Sequence, residues 1–183
     1  QTIEVEGSPA SMLAAAGRLF LVTREGAIAC YGPQKTSPTK SEFPDTPLPS
    51  GNPFTARAKQ LVEKSQVAGD AYCLVLGVGT GRLVEALTLE SKMRIIVVEK
   101  DSAKVASLRK RIHAAGLYGT RVVVHQGDPL AYGLPPYFAS VVTSEDPASA
   151  GFGQPDAFTS TTFHCLRPYG GTAFLNLNAE QAA

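Results

Sequence analysis

Residues 74 to 87, LVLGVGTGRLVEAL, run from a continuous apolar stretch through three glycines spaced by single residues into an amphipathic helical pattern. An apolar run without alternation is the signature of a strand buried on both faces, as in a parallel sheet. Gly77, Gly79 and Gly81 therefore fall where that strand ends and the helix begins. A main chain without side chains there permits a tight turn and the close approach of another group, and the helix start offers free N–H groups that favour an anionic partner. The alternative is a close helix–strand crossing that needs small residues and holds no ligand.

The strand–helix alternation continues downstream. RIIVVE reads as a second buried strand, and SAKVASLRKRIHAAG as a helix with Val105, Leu108, Ile112 and Ala115 on one face, capped by Asp101 or Ser102 and stopped by Gly116. RVVVHQG, FASVVTS and GTAFLNL follow as strands, with a helix from Asp156 to Leu166 before the last. Repeated β-α-β units joined right-handed predict an α/β fold: a doubly wound, mainly parallel sheet with helices on both faces. Ligands bind such sheets outside the carboxyl ends of the strands, where strand order reverses.

Upstream the organisation differs. GRLFLVTREGAIACYG reads as a β-hairpin, Leu19 to Val22 and Ala27 to Tyr31, turning at Gly26, so residues 1–32 form an N-terminal appendage. Residues 33–53 carry six prolines among polar residues and read as an extended linker. The main domain then spans 54–183, opening with a helix in FTARAKQLVEKSQV that presents Ala58, Leu61 and Val62 on one face and stops at Gly69.

Composition narrows the partners. A formal net charge of +1 gives no clustered basic footprint for nucleic acid. Cys30, Cys73 and Cys165 are widely spaced with no histidine at ligand spacing, so no metal site is expected and reduced, mostly buried thiols are. No apolar run reaches the ~20 residues that span a bilayer, and a cytoplasmic location is expected. The chain begins at Gln1 rather than methionine, which suits a piece of a longer protein.

The glycines run G-x-G-x-G, and the sixth position, glycine in a dinucleotide fingerprint, is Arg82. With VVEKD ending at the second strand, VVHQGDP at the third, FASVVTSED at the fourth and FHCLRPYGGTAFL before the fifth, residues 53 to 178 resemble the class I S-adenosylmethionine-dependent methyltransferases, with their Rossmann-like fold. The resemblance implies S-adenosyl-L-methionine as cofactor. Gly77, Val78, Gly79 and Gly81 would sit against its amino-acid end and ribose. Glu99 would accept from the ribose hydroxyls, for which a carboxylate is suited as a pure acceptor. Asp128 would accept from the adenine amine in a turn shaped by Gly127 and Pro129, and Lys100 would flank the ring. The alternatives are a solvated strand-end charge for Glu99, a turn former for Asp128 and an exposed side chain for Lys100.

The acceptor side is less defined. Methyl transfer from a sulfonium needs alignment and at times removal of a proton. Glu145 and Asp146 are the candidates to orient an acceptor or act as base, against the alternative of solvated loop acids; His125 and His164 read as structural. TSEDPAS lacks the second proline and the aromatic of enzymes that methylate nucleobase amines. The family's sheet usually continues past a fifth strand, so the domain is expected to be truncated there. GSPASMLAAAGRLFLVTREGAIACYG resembles part of a pyrroloquinoline-quinone-type β-propeller repeat, which would make the parent a propeller-containing protein and leave export open. Three functions stand: a methyltransferase domain with an unidentified acceptor, a non-catalytic cofactor-binding or structural segment of a larger quinoprotein, and an NAD-dependent oxidoreductase. Burying the hairpin's apolar residues on the open sheet edge, within one chain or between two, makes a homodimer through the hairpin an expected arrangement.

Overall fold

The computed structural model describes residues 4–34, 46–67 and 69–176, and the chain divides into two compact units, Gln1–Glu42 and Phe43–Ala183.

The first unit is a three-stranded antiparallel meander of β1 (Pro9–Ala15), β2 (Arg18–Thr23) and β3 (Ile28–Tyr31). The expected two-strand hairpin thus gains a third strand. PASMLAA carries no alternation of its own and is exposed along its whole length; it is held by pairing, Ala15 opposite Arg18 and Leu13 opposite Phe20. Ala16 and Gly17 connect these strands with φ of 51° and 68°, the positive pair of a two-residue turn whose twist suits a hairpin.

Of the predicted linker, residues 35–45 lie outside the described residues. Residues 46–53 have no regular structure, yet they are anchored within the second unit. The Thr46 N–H donates to Ala114 O at 2.8 Å, Leu48 packs on the core, and the buried Asn52 donates from Nδ2 to Arg82 O at 2.8 Å. The folded α/β unit therefore starts ahead of residue 54.

That unit contains α1 (Thr55–Ser65), β4 (Tyr72–Leu76), α2 (Arg82–Glu90), β5 (Arg94–Glu99), α3 (Ser102–Ala114), β6 (Val122–Gln126), β7 (Val141–Thr143), α4 (Pro155–Cys165) and β8 (Thr172–Phe174). The five strands lie in the order β6-β5-β4-β7-β8, all parallel. Successive residues of β4 serve opposite faces. Cys73 and Val75 join a core with Ala58, Leu61, Leu83, Leu87, Leu108 and Ile112 from α1, α2 and α3, while Leu74 and Leu76 join Phe158 and Cys165 from α4. Burial pushes the Cys73 thiol up to about 12, and Cys165 is raised for the same reason, whereas Cys30 is exposed.

Local chemistry sets the helix ends. Asp101 caps α3, its Oδ1 accepting from Ala103 N at 2.8 Å and Lys104 N at 3.2 Å. Helix α1 ends before the expected Gly69, because Gln66 takes a left-handed cap at φ 49°. Among the described residues no helix is long and apolar enough to cross a membrane, and no group of three or more His, Cys, Asp and Glu could hold a metal ion. Strand order reverses between β4 and β7, so the crevice at their carboxyl ends is where a ligand of such a sheet binds.

Candidate functional site

The glycine loop between β4 and α2 lines this crevice. Gly77, Gly79 and Gly81 all adopt positive φ, and at each a side chain would strike a neighbour from the same unit. A Cβ on Gly77 would lie 2.7 Å from Ala150 N and closer still to Asp146 O; one on Gly79 would lie 3.0 Å from the Glu145 side chain; one on Gly81 would meet Leu108 at 3.0 Å and the Arg111 guanidinium. The absent side chains therefore make room for the protein's own segments: the segment after β7 at the first two glycines, and α3 at the third.

Glu99 ends β5 and is fully buried rather than a solvated strand-end charge. Its Oε2 accepts from the Val78 N–H at 2.8 Å and its Oε1 from the Asp101 N–H at 2.9 Å. The Ser149 hydroxyl lies 3.0 Å and 2.8 Å from the two oxygens. A buried carboxylate is tolerated only where its acceptor positions are met, and here one of the three donors is a hydroxyl.

That hydroxyl comes from the segment Ser144–Gly151 that leaves β7 and folds back across the glycine loop. Glu145 accepts from the Leu83 N–H at 3.0 Å, the Thr80 N–H at 2.7 Å and the Thr80 hydroxyl. It thereby satisfies main-chain N–H groups at the start of α2, where the helix dipole favours a negative charge. Asp146 accepts from the Ser149 N–H at 3.2 Å and pairs with Lys104 of α3 at 3.3 Å. Both candidate catalytic carboxylates are thus engaged. Arg57 of α1 donates to Ser144 O at 2.7 Å. Burial pulls its guanidinium below the usual range, with the Glu145 charge acting in the opposite sense. The Ser144 hydroxyl, at the tip of β7, is buried without a hydrogen-bond partner.

At the end of β6, Asp128 is exposed and its Oδ1 accepts from Leu130 N at 2.9 Å, forming the turn considered as its alternative role. Pro129 beside it is buried, and Lys100, one residue past Glu99, is exposed. A Cβ on Gly127 would fall 2.5 Å from the Tyr132 ring, which also lies 5.2 Å from the ring of His125. Tyr132 thus covers the end of β6, a role with no signature in the sequence.

Sequence reasoning also missed an ionic cluster behind the loop. Glu85 is fully buried on α2 and bridges Arg111 of α3, at 2.5 Å, and Arg82, at 3.0 Å. Arg111 Nη2 donates in addition to Thr80 O at 2.8 Å, so it ties α3 to both α2 and the glycine loop. The arginine in the sixth fingerprint position is accounted for by this pairing. Glu85 was detectable only as a charge interrupting the apolar face of RLVEALTL.

No family model matches the chain, and no curated protein matches it in sequence. Solved structures do. An S-adenosyl-L-methionine-dependent methyltransferase assigned in Methanococcus maripaludis aligns at 19% identity with a TM-score of 0.55, over 78% of this chain and 67% of its own. The cyclase SpnF aligns at 18% identity and TM-score 0.56, over 63% of this chain and 42% of its own. Phosphoethanolamine N-methyltransferase 2 of Haemonchus contortus, in complex with S-adenosyl-L-methionine, aligns at 17% identity and TM-score 0.55, over 69% of this chain and 31% of its own. The chain thus spans less than half the length of the last two. That one of these relatives is named as a cyclase illustrates that such likeness carries a fold and not a reaction. None of the three bears on the resemblance of the N-terminal strands to a propeller repeat. What the likeness establishes is architecture: the chain carries the Rossmann-like fold of the class I methyltransferases.

Proposed function

We propose that residues 43–183 form an S-adenosyl-L-methionine-binding domain that transfers a methyl group to an acceptor. One observation carries the reading. At the switch point of a β6-β5-β4-β7-β8 sheet, the carboxylate ending β5 is buried beside a glycine loop and already holds a hydroxyl, that of Ser149. The donor set suits a ribose-bearing cofactor with a free amino acid. Glu99 accepts hydroxyl hydrogen bonds, and the Thr80 and Leu83 N–H groups already hold a carboxylate, that of Glu145.

When bound, the cofactor supplies a methyl group activated by a sulfonium charge. The chain's part is to bind and orient. Gly77, Val78, Gly79 and Gly81 would receive the amino-acid end and ribose along their main chain, in place of the contacts that the segment after β7 makes at Gly77 and Gly79, while Gly81 also lets α3 pack against the loop. Glu99 would hold the ribose hydroxyls. Asp128, with Oδ1 committed to Leu130 N, retains Oδ2 to accept from the adenine amine, with Gly127 and Pro129 setting the turn and Lys100 at its side. Positioning of this kind is a main source of rate in a displacement whose donor is already activated.

A second reading, cofactor binding without catalysis, is favoured by the engagement of Glu145 and Asp146 in the loop's own contacts. The NAD-dependent alternative is disfavoured by Arg82, whose guanidinium is paired with Glu85 where a fingerprint would have its third glycine. Calorimetric titration of the chain with S-adenosylmethionine, S-adenosylhomocysteine and NAD separates these. Binding of the first two without NAD is expected; binding of NAD alone would overturn the proposal. Incubation with methyl-tritiated cofactor and a small-molecule extract then divides the readings: transferred label supports catalysis, and binding without transfer supports the second.

A further inference from the structure

The segment Ser144–Gly151 places two of its side chains on the groups assigned to the cofactor. The Ser149 hydroxyl contacts both oxygens of Glu99, and the Glu145 carboxylate accepts from Thr80 N and Leu83 N at the start of α2. Between them the main chain at Asp146 and Ala150 fills the clearance of Gly77, and the Glu145 side chain fills that of Gly79. A hydroxyl and a carboxylate, carried on one short stretch and laid along a glycine loop, are the chemical features that the proposed cofactor would bring to the same positions.

We propose that this segment is a built-in plug: its Ser149 and Glu145 compete with the cofactor for the crevice, and binding requires the segment to swing out. The inference rests on the proposed reading of the crevice as a cofactor site. The closed arrangement carries two marks of a state made to open. The Ser144 hydroxyl at the root of the segment is buried with no partner, a cost that exposure to water or ligand removes. The contacts of Ser149 and Glu145 are polar ones that a ligand can replace in kind, whereas Ala150, beside Gly151, packs with Leu74 and Leu76 in the core. The outer end, by contrast, is fixed. The Phe152 and Phe158 rings meet edge to face at 5.4 Å, which secures the segment to α4, and Arg57 holds the Ser144 carbonyl at the other end. The plug is thus tethered at both ends and latched in the middle. Gly151, at φ +93°, lies next to the fixed aromatic and provides a hinge that needs no further strain.

A ligand that binds only the open form has its apparent dissociation constant raised by the inverse of the open fraction. Removing a latch must therefore tighten binding, the reverse of what loss of a binding residue does. In calorimetric titration of the full chain with S-adenosylmethionine, Ser149→Ala is expected to lower the dissociation constant about tenfold, the factor for one hydrogen bond to a carboxylate lost from the closed state alone. Glu145→Gln is expected to lower it several-fold, with Glu99→Gln weakening binding in the same series. Unchanged or weaker binding by Ser149→Ala, with the parent chain binding, overturns the plug and leaves the cofactor reading standing. Absence of binding by the parent and both latch variants overturns the cofactor reading and the plug with it; where the parent binds, amide hydrogen exchange in the free protein tests the closed state independently. Faster exchange at Thr80 and Leu83 in Glu145→Ala supports a segment seated on the loop, and unchanged exchange there overturns it.

Discussion

Ser149, in the segment after β7, places its hydroxyl 3.0 Å and 2.8 Å from the two carboxylate oxygens of Glu99 at the end of β5, so that the segment leaving one neighbour of β4 is joined to the end of the other by a half-buried contact. Glu99 also holds the Val78 and Asp101 main-chain N–H groups. An amide in its place keeps the shape but turns one acceptor into a donor facing donors. Glu99→Gln is expected to lower the unfolding free energy by about 1–3 kcal/mol, read from urea denaturation. Ser149→Ala, which leaves both N–H donors in place, is expected to cost less.

Gly77 and Gly133 share a φ of +74°, but only the first has neighbours in the way of a side chain. Alanine at Gly133 meets nothing within 4 Å and is expected to cost the left-handed conformation alone, about 1–2 kcal/mol. Alanine at Gly77 adds the collision with Asp146 and Ala150 and is expected to cost about 1–3 kcal/mol more. Equal losses in thermal denaturation would show that the segment after β7 does not rest on the loop in solution.

Arg111 and Arg82 both pair with the buried Glu85, yet they are not equivalent. Arg111 also donates to Thr80 O, and its removal leaves a fully buried carboxylate with one half-exposed partner. Arg111→Met is expected to destabilise by about 3 kcal/mol and Arg82→Met by less than about 1 kcal/mol. A chemical-denaturation series on the two variants checks the order.

Asp101 accepts from Lys104 N and Ala103 N, which holds its carboxyl below the ordinary aspartate range. A group whose folded-state value is depressed stabilises the fold above its unfolded value, and that contribution is lost as pH falls through the folded one. Asp101→Ala is therefore expected to lower the melting temperature at neutral pH. The difference from the parent chain should hold down to about pH 4 and close only as the pH falls further, through the depressed folded-state value. A gap that persists at lower pH would assign the effect to something other than the cap.

Most of the α/β framework was legible because it is written locally. The apolar runs YCLVL and RIIVVE became buried parallel strands, and the cap at Asp101 lies within three residues of the N–H groups it serves. Strand β1 was not legible, since Pro9–Ala15 has no apolar alternation and owes its state to a partner strand. The site divided along the same line. Gly77, Glu99 and Asp128 could be placed at strand ends from spacing alone. The contacts that define their surroundings, Glu145 on Thr80 and Ser149 on Glu99, join residues far apart in sequence, and no periodicity records them. Tyr132 and Arg111 escaped notice for the same reason: an exposed tyrosine in a loop and an arginine on a helix look like any others until the fold brings them against Gly127 and Thr80.

Strand β4 takes its neighbours from opposite ends of the domain's synthesis: Cys73 pairs with Ile95 on one side and with Val141 on the other. As the chain leaves the ribosome, β4, β5 and β6 with the helices between them can assemble into half a sheet well before β7 exists. Closing the second side must await a long stretch of further chain, and contacts of such sequence separation form slowly. During that interval the glycine loop is complete but has nothing opposite it, with Leu74 and Leu76 uncovered on the face that later receives α4. The crevice therefore comes into being only after the first half of the sheet is in place.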